Sequence, residues 1–275
     1  MSKWNRFPHS NDAFKYSGDQ LLEAWPVLHH GDRVPFPDAD WVEQTLENTP
    51  DAAPDDQDGD HDALALVIQD SWRCFHTGDF YNATQLAEQC GYLAHAAANK
   101  ATGIYATYLE PDEAKQQACY QLAISFAESA IEVLPDDPNS HYFHAFNLGR
   151  YSQSISIVTA LSQGIGGKIH TSLQSTLELE PEHAEAHTAM GMYNAEIIDK
   201  VGKMLGKVTY GASTPNALEH FDRALELTPE SPIAHMEYGN GLYLLFGDDR
   251  IDEVSDLYVK ASELRPKDAM EKLDV

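Results

Sequence analysis

The chain ends three predicted helices in the same way. Residues 123–135, 217–229 and 257–266 each place small or aromatic residues three and four positions apart, on one helical face, and each segment finishes at a proline. Proline lacks the backbone N–H and clashes with the preceding turn, so each helix must end there. Three further segments carry a histidine followed four residues later by a small residue, which lets a second helix approach closely. These pairs are His141 and Ala145, His187 and Gly191, and His235 and Gly239.

This alternation describes a helix pair of fixed period, which cannot bury its apolar face alone and must stack on its neighbours. The unit is of the tetratricopeptide type. We therefore predict an all-α fold over residues 63–275, a right-handed superhelix of about four stacked antiparallel helix pairs. Such a stack has a concave surface, and surfaces of this kind usually bind a partner rather than transform one.

The charge of the chain limits its partners. Its 18 basic and 44 acidic residues give a formal net charge of −26, which repels nucleic acid and anionic lipid and disfavours a phosphate-backbone binder. The first residues hold no apolar core of signal-peptide length, and no later run approaches a membrane span, so we expect a cytoplasmic protein. Cys74, Cys90 and Cys119 have no metal-binding spacing, and buried thiols within helices are their expected role.

Residues 1–62 form a different kind of chain, an N-terminal arm that is both acidic and rich in aromatic residues. Asp19 is predicted to cap a short helix that carries Trp25, and Asp38 a second one that carries Trp41. The aromatic rings indicate that the arm docks onto the helical body. Two roles stay open for it: covering an exposed end of the array, or entering the concave groove and gating it.

The arm ends in a linker, residues 48–62, which is rich in Pro, Ala and Asp. Its carboxylates alternate around Gly59, as they do in calcium-binding loops. The register does not fit, because the first ligand position would be Pro54 and the twelfth Ala65, which leaves no bidentate carboxylate. We predict a solvated acidic connector.

Two repeats are longer than the usual period of about 34 residues. The spacing is 46 residues from Pro135 to Pro181 and 48 from Pro181 to Pro229. The additional residues must lengthen helices or turns, and they are rich in glycine. They do not form a phosphate-binding loop, because Ser162 stands at the leading glycine position and Lys168 is not followed by a hydroxyl residue.

Thirteen histidines raise the question of metal binding. The pairs His141–His144 and His183–His187 have spacings that place two imidazoles on one helical face, but neither has a neighbouring cysteine or a His-Glu-x-x-His arrangement. Because His141, His187 and His235 recur at one repeat position, we expect each to satisfy a buried carbonyl at the junction of a helix pair. A surface zinc site that bridges His183 and His187 is the alternative, and no cofactor is predicted.

The C-terminal part of the chain carries a family resemblance. Segments 187–193, 209–212 and 217–225 resemble the divergent tetratricopeptide proteins that include the T component of TRAP-type transporters, and are more distantly similar to the regulator of microtubule dynamics family. The resemblance covers about residues 121–275. It implies an all-α superhelical scaffold that holds protein partners and has no catalytic residue set.

From its position within the repeat, we expect the first helix of each pair to line the concave face. Rings and flexible methionines there suit a peptide or a helix, and an arginine can hold a carboxylate through two hydrogen bonds. The predicted partner-binding residues are Tyr142, Phe146, Arg150, Met192, Glu196, Met236, Asn240 and Tyr243. Core packing is the alternative role for their apolar members.

The sequence therefore predicts a non-enzymatic scaffold or adaptor for a protein or peptide partner. The identity of the partner and the oligomeric state of this chain stay open. The alternatives are a small-ligand or metal-binding helical protein, or an accessory component of a transport or enzyme system. An enzyme is the less favoured class, since no Gly-x-Ser-x-Gly elbow occurs. A deep closed pocket with converging carboxylates or histidines would favour an enzyme, and an open groove would favour a scaffold.

Overall fold

The structure is a computed structural model that describes residues 4–54 and 60–274, and in those ranges every regular element is a helix. Residues 55–59 of the acidic linker, which include most of the carboxylates around Gly59 that resemble a calcium-binding loop, lie outside the described residues. The α-helices are α1 Gln20–Leu28, α2 Ala39–Asn48, α3 His61–His76, α4 Phe80–Glu88, α5 His95–Tyr108, α6 Glu113–Val133, α7 Pro138–Gln153, α8 Ile157–Ser162, α9 Ile165–Leu179, α10 Ala184–Val201, α11 Lys203–Tyr210, α12 Thr214–Leu227, α13 Pro232–Phe246, α14 Ile251–Glu263 and α15 Ala269–Asp274.

The predicted all-α array of stacked helix pairs is confirmed. Five pairs follow one another, one more than the predicted four: α3 with α4, α5 with α6, α7 with α9, α10 with α12, and α13 with α14. The first helices also contact each other, α3 with α5, α5 with α7, α7 with α10 and α10 with α13. They form the inner layer of the array, and the second helices form the outer layer.

The recurring prolines end helices where the sequence predicts it, since α6, α12 and α14 stop two or three residues before Pro135, Pro229 and Pro266. The recurring histidines bond to carbonyl groups at the helix-pair junctions, as expected, but the expectation that these contacts are buried is wrong. The Nε2 atoms of His141, His187 and His235 donate to the carbonyl oxygens of Pro135, Pro181 and Pro229, at 2.8, 3.1 and 2.9 Å. These contacts are exposed or only partly buried, because the junctions lie at the rim of the array.

The small residues of the inner helices allow close packing, as predicted. A Cβ added at Gly191 would lie 2.7 Å from the ring of Phe221, and one at Gly241 would lie 2.4 Å from the same ring. Phe221 is completely buried between α10 and α13. Neither glycine therefore has room for a side chain.

The two lengthened repeats each contain an additional short helix. Helix α8 is inserted between α7 and α9, and α11 is inserted between α10 and α12. Both contact α9. Helix α11 lies between Gly202 and Gly211, whose φ values of 84° and 68° are in the left-handed region that favours glycine.

The arm packs onto the array through its aromatic residues. Trp25 of α1 contacts Trp72 edge to face at 5.8 Å, and Trp4 stacks on Tyr105 at 4.0 Å. Asp38 caps α2 as predicted, accepting from the Trp41 N–H at 2.8 Å. The prediction for Asp19 is wrong, since its side chain makes no capping hydrogen bond.

The last helix returns to the beginning of the array. Helix α15 contacts both α13 and α3, and the His76 Nδ1 atom of α3 donates to the Asp268 carboxylate at 3.0 Å. The arm fills part of the same region, since a Cβ at Gly78 would meet the Phe7 ring at 2.6 Å and Ala269 at 3.0 Å. The arm and α15 therefore cover part of the concave side.

Candidate ligand-binding cavity

A cavity of about 520 Å³ lies inside the array. Its walls come from the inner helices α5, α7, α10 and α13, from α9, and from the two insertions. Val27 and Leu28 of α1 and Met270 of α15 cover its remaining sides. The concave face is therefore partly closed by the chain itself instead of being an open groove.

The structure brings together five of the eight predicted partner-binding residues. Tyr142, Phe146, Arg150, Met192 and Glu196 all line the cavity. Position within the repeat thus predicts correctly which faces of α7 and α10 point inward.

The other three, on α13, do not line the cavity. The Asn240 Oδ1 atom accepts a hydrogen bond of 2.7 Å from Tyr258 of the outer helix α14. Tyr243 is half exposed, and Met236 is partly buried outside the cavity. On α13 it is Ile233, Ala234 and Glu237 that face the cavity.

Most of the lining is apolar. Aliphatic and aromatic side chains from four different helices form a continuous wall, which water solvates poorly and hydrocarbon fills well. Its members include Ile104, Phe146, Ile165, Ile169, Leu173, Met192 and Ile197.

A buried charge cluster joins the arm to the inner helices at one side of the cavity. The Lys100 Nζ atom of α5 donates to the Asp32 Oδ2 atom of the arm at 2.6 Å and to the Glu185 Oε1 atom of α10 at 2.9 Å. The His29 Nδ1 atom donates to the second Asp32 oxygen at 2.9 Å. Asp32 is completely buried, so these partners replace the water that it loses on folding.

The cluster fixes the charges of its members. Burial opposes the ionisation of Asp32, but His29 and Lys100 outweigh it and hold the pKa of this carboxyl well below its usual value. Burial also opposes the charge of Lys100, yet Asp32 and Glu185 raise the pKa of its ammonium. Burial raises the pKa of Glu185, and Lys100 offsets this only in part. The arm is therefore held by one firmly charged pair.

Backbone contacts add to this attachment. The Glu185 N–H donates to the Gly31 carbonyl at 3.0 Å, and the Asn139 side chain donates to the Asp32 carbonyl at 3.0 Å. Gly31 approaches Glu185 so closely that a Cβ would lie 3.1 Å from its Cγ. Helices α7 and α10 thus recognise the main chain of the arm as they would that of a bound peptide.

A second polar group lies on another part of the cavity wall. The Arg150 guanidinium pairs with Glu237 at 3.4 Å and lies 5.8 Å from the centre of the Phe146 ring. Nearby, the Tyr108 hydroxyl donates to Asp274 of α15. The other Asp274 oxygen, Oδ2, is buried and has no hydrogen-bond partner among the described residues.

The acids on this wall are held partly protonated. Burial raises the pKa of Asp274 to about 7, although Tyr108 and Arg150 lower it. Burial, together with Asp268, also raises the pKa of Glu271 to about 7. A hydrogen-bond donor or a cation placed beside them would favour their ionised forms.

The histidine pair His183–His187 does not converge on one point. The His183 Nδ1 atom caps α10 by accepting from the Ala186 N–H at 3.0 Å, whereas His187 contacts the His220 Nδ1 atom at 2.9 Å. Among the described residues, no three His, Cys, Asp or Glu side chains are grouped as metal ligands would be.

Several cavity residues were not identified from the sequence. The segment with Asp32 reads as a turn, and nothing local indicates that it reaches Lys100. A signal was present in α5, where Lys100 is the single Lys, Arg, Asp or Glu of a helix rich in alanine. An isolated lysine in such a helix indicates a buried charge that needs a partner.

A family model matches residues 81–238, more than half of the chain, and it is described as regulator of microtubule dynamics protein 1-3. The chain belongs to this family. The matched region begins in α4 and ends in α13, so it contains α5, α7, α9 and α10 of the cavity wall. The more distant of the two resemblances is thus confirmed, and the one to the transporter T component stays a prediction.

Among solved structures, the chain is similar to the crystal structure of MamA protein. The TM-score is 0.41 at 12% identity, over 73% of this chain and 90% of the other. No curated protein matches the chain. No helix among the described residues is both long and apolar enough to cross a membrane.

Proposed function

We propose that this member of the family is a non-enzymatic binding protein that holds an amphipathic small molecule in the cavity of its helical array. The observation that carries the proposal is the cavity itself. Its volume of about 520 Å³ is within the range of about 300–1,000 Å³ typical of ligand sites. Its apolar walls suit a hydrocarbon chain or ring system.

The polar wall suggests what the other part of the ligand is. Arg150 is already paired with Glu237, and Lys100 with Asp32 and Glu185. Asp274, in contrast, has an oxygen without a partner among the described residues. A ligand group that donates hydrogen bonds, such as a hydroxyl or an ammonium, therefore fits this wall better than an anionic group does.

The cavity is partly closed and carboxylates such as Glu237, Glu271 and Asp274 line it, so by the criterion stated above an enzyme stays an alternative. Two observations nevertheless favour binding over catalysis. Among the described residues, the cavity lining includes no histidine or cysteine, so neither of the commonest bases and nucleophiles faces the cavity. The thiols elsewhere are poor nucleophiles, because burial raises the pKa of Cys74 to about 11 and that of Cys90 to about 12. These unpaired thiols also suit the reducing cytoplasm, which we propose as its location.

Filling the cavity tests this proposal. Ala189 lines the cavity from α10, and Ala189→Phe places a ring in the space for the ligand. With the fluorescent apolar probe N-phenyl-1-naphthylamine, we expect the wild-type protein to bind and the variant to bind at least about ten-fold more weakly. Ala118→Phe, on the exposed side of α6, is the control and should bind as the wild type does. Equal probe binding by all three proteins, or by none, would contradict the proposal.

A peptide or protein partner on the concave face is the second candidate. It is favoured by the way in which α7 and α10 hold residues Gly31 and Asp32 through their carbonyl groups. A partner segment with a buried aspartate could take the place of the arm. Such a partner would have to displace the arm, so its affinity should rise when Asp32→Asn weakens the attachment of the arm.

A further inference from the structure

The two inserted helices expose an unusual amount of apolar surface. Met204 and Val208 of α11 are 84% and 82% exposed, and Val158 of α8 is 72% exposed. These are the three most exposed large apolar side chains in the described part of the chain. Ile157, Leu161 and Leu205 on the same two helices are also exposed.

Both helices lie where residues of the cavity lining reach the surface, as Val27 of α1 also does. Helix α8 leads through Gln163 and Gly164 into the first turn of α9, and Tyr210 at the end of α11 packs against Gly166 in that turn. The residues of this region that both line the cavity and reach the surface are Gln153, Ile157, Leu161 and Lys200. A ligand that enters there passes between α8 and α11.

The two sequence segments that contain the inserted helices are basic, whereas the chain as a whole is acidic. No acidic residue occurs between Asp137 and Glu178, or between Asp199 and Glu219, although the chain contains 44. The same segments hold Lys168, Lys200, Lys203 and Lys207 on α9, α10 and α11. Of the ion pairs among the described residues, none involves Lys203 or Lys207, and Lys168 pairs with Glu128 at 3.5 Å.

On α11 the two properties form adjacent stripes. Met204 and Val208 are four residues apart on one face, and Lys203 and Lys207 are four residues apart beside them. Gly206, on the other side, is buried, and a Cβ there would lie 3.3 Å from Ile197. A short helix with exposed apolar residues and flanking lysines is the arrangement of an interfacial membrane helix.

We propose that α8 and α11 dock the protein onto an anionic lipid bilayer, with the cavity opening facing the membrane. The docking rests alone on the patch formed by Val158, Met204 and Val208 with Lys203 and Lys207. The transfer of an apolar ligand from that membrane into the cavity rests on the proposed function. The net charge of −26 does not prevent docking, because α8 and α11 themselves contain no acidic residue and salt screens charges more than about 8–10 Å away.

The shape of the patch favours a bilayer over a protein partner. Its most exposed side chains project from two separate short helices and do not line a groove, so a partner helix would find no matching surface. A bilayer needs no such match, because lysines contact headgroups while neighbouring apolar side chains enter the interface. The eight residues of α11 span about 12 Å, which allows it to lie in the plane of the interface.

Vesicle flotation tests the proposal with three double variants. Met204→Asp with Val208→Asp removes the apolar stripe, and Lys203→Glu with Lys207→Glu reverses the basic one. Leu66→Asp with Val259→Asp is the matched control, because these side chains are 57% and 56% exposed on α3 and α14, in the first and last helix pairs of the array. Each protein is floated with phosphatidylcholine vesicles that contain or lack phosphatidylglycerol.

We expect the wild type and the control to float with the anionic vesicles. The apolar variant should bind at least about ten-fold more weakly. The lysine variant should lose about five-fold per lysine and its preference for phosphatidylglycerol. Failure of the wild type to float, equal flotation of all variants, or an equal loss in the control would each overturn docking. Self-association that depends on Met204 and Val208, without vesicle binding, would overturn it in favour of an interface between copies.

The naphthylamine probe separates this proposal from the proposed function. The docking variants should bind the probe as the wild type does, because their changed side chains lie outside the cavity. A wild-type protein that floats with anionic vesicles but binds no probe would refute the proposed ligand site and leave the docking surface in place.

Discussion

At the scale of single residues, buried charge decides how the arm is attached. Lys100 lies in the alanine-rich helix α5, between the rings of Phe75 and Phe143, each with its centre 5.9 Å from the ammonium. Such a charge is tolerable because the carboxylates of Asp32 and Glu185 reach it at 2.6 and 2.9 Å. Removing one partner of a buried pair typically costs about 3–5 kcal/mol, because the other charge stays unpaired.

His183 gives a prediction at the same scale. It is completely buried, and burial lowers its pKa from 6.5 to about 4, while its neutral Nδ1 atom caps α10. Because the unfolded chain takes up the proton first, the contribution of His183 is present above pH 6.5 and is lost as the pH falls toward 4. His183→Asn keeps a capping acceptor and removes the titration. Between pH 7 and pH 5 the wild type should therefore lose about 2 kcal/mol more stability than the variant.

Urea unfolding at the two pH values measures this difference. His9→Asn, at an exposed position of the arm, serves as the control and should follow the wild type. If the His183→Asn protein loses as much stability as the wild type on acidification, the buried neutral imidazole is not a source of acid sensitivity.

At the scale of elements, the stacking of helix pairs depends on glycines that face rings. Gly191→Ala brings a Cβ to within 2.7 Å of Phe221, whose other edge already contacts α13 at Gly241. The ring has nowhere to move. We expect a net loss of about 1–2 kcal/mol, since the strain of overpacking exceeds the gain of about 1 kcal/mol in helix propensity.

Gly167→Ala is the matched substitution in the neighbouring helix α9. Its added Cβ would meet nothing within 4 Å, so the gain in propensity should appear alone, as a stabilisation of up to about 1 kcal/mol. Thermal or urea melts of both variants check the pair. The same sign of change in both would show that the contact with Phe221 does not limit the approach of α10 and α12.

At the scale of the whole molecule, the arm and α15 convert an open array into one that encloses a cavity. The arm contacts α3 through Trp72, α5 through Lys100 and α10 through Glu185, so it connects helices of three repeats. Helix α2 also contacts α3 at the beginning of the array. The arm therefore covers that end and enters the concave side as well.

Deleting residues 1–55 should consequently cost more than the removal of one charge. The deletion leaves Lys100 with Glu185 alone and uncovers the apolar surface around Trp72, so we expect at least about 3–5 kcal/mol of lost stability and a tendency to aggregate. Asp32→Asn in the full chain removes only the charge of Asp32, so it separates the contribution of that charge from the contribution of the rest of the arm. A truncated protein that melts like the wild type and stays monomeric would show that the arm is dispensable for the fold.

The sequence by itself determined the features that depend on neighbours along the chain. These features are local: helix periodicity, the prolines after α6, α12 and α14, and the histidines that bond to proline carbonyls. They sufficed to predict stacked helix pairs and the inward faces of α7 and α10. The tertiary structure alone decided what covers those faces. Asp32 meets Lys100 across 68 residues and His76 meets Asp268 across 192. Such pairings follow from the path of the whole chain and have no local pattern, so the cavity that they enclose could not be predicted from the repeats.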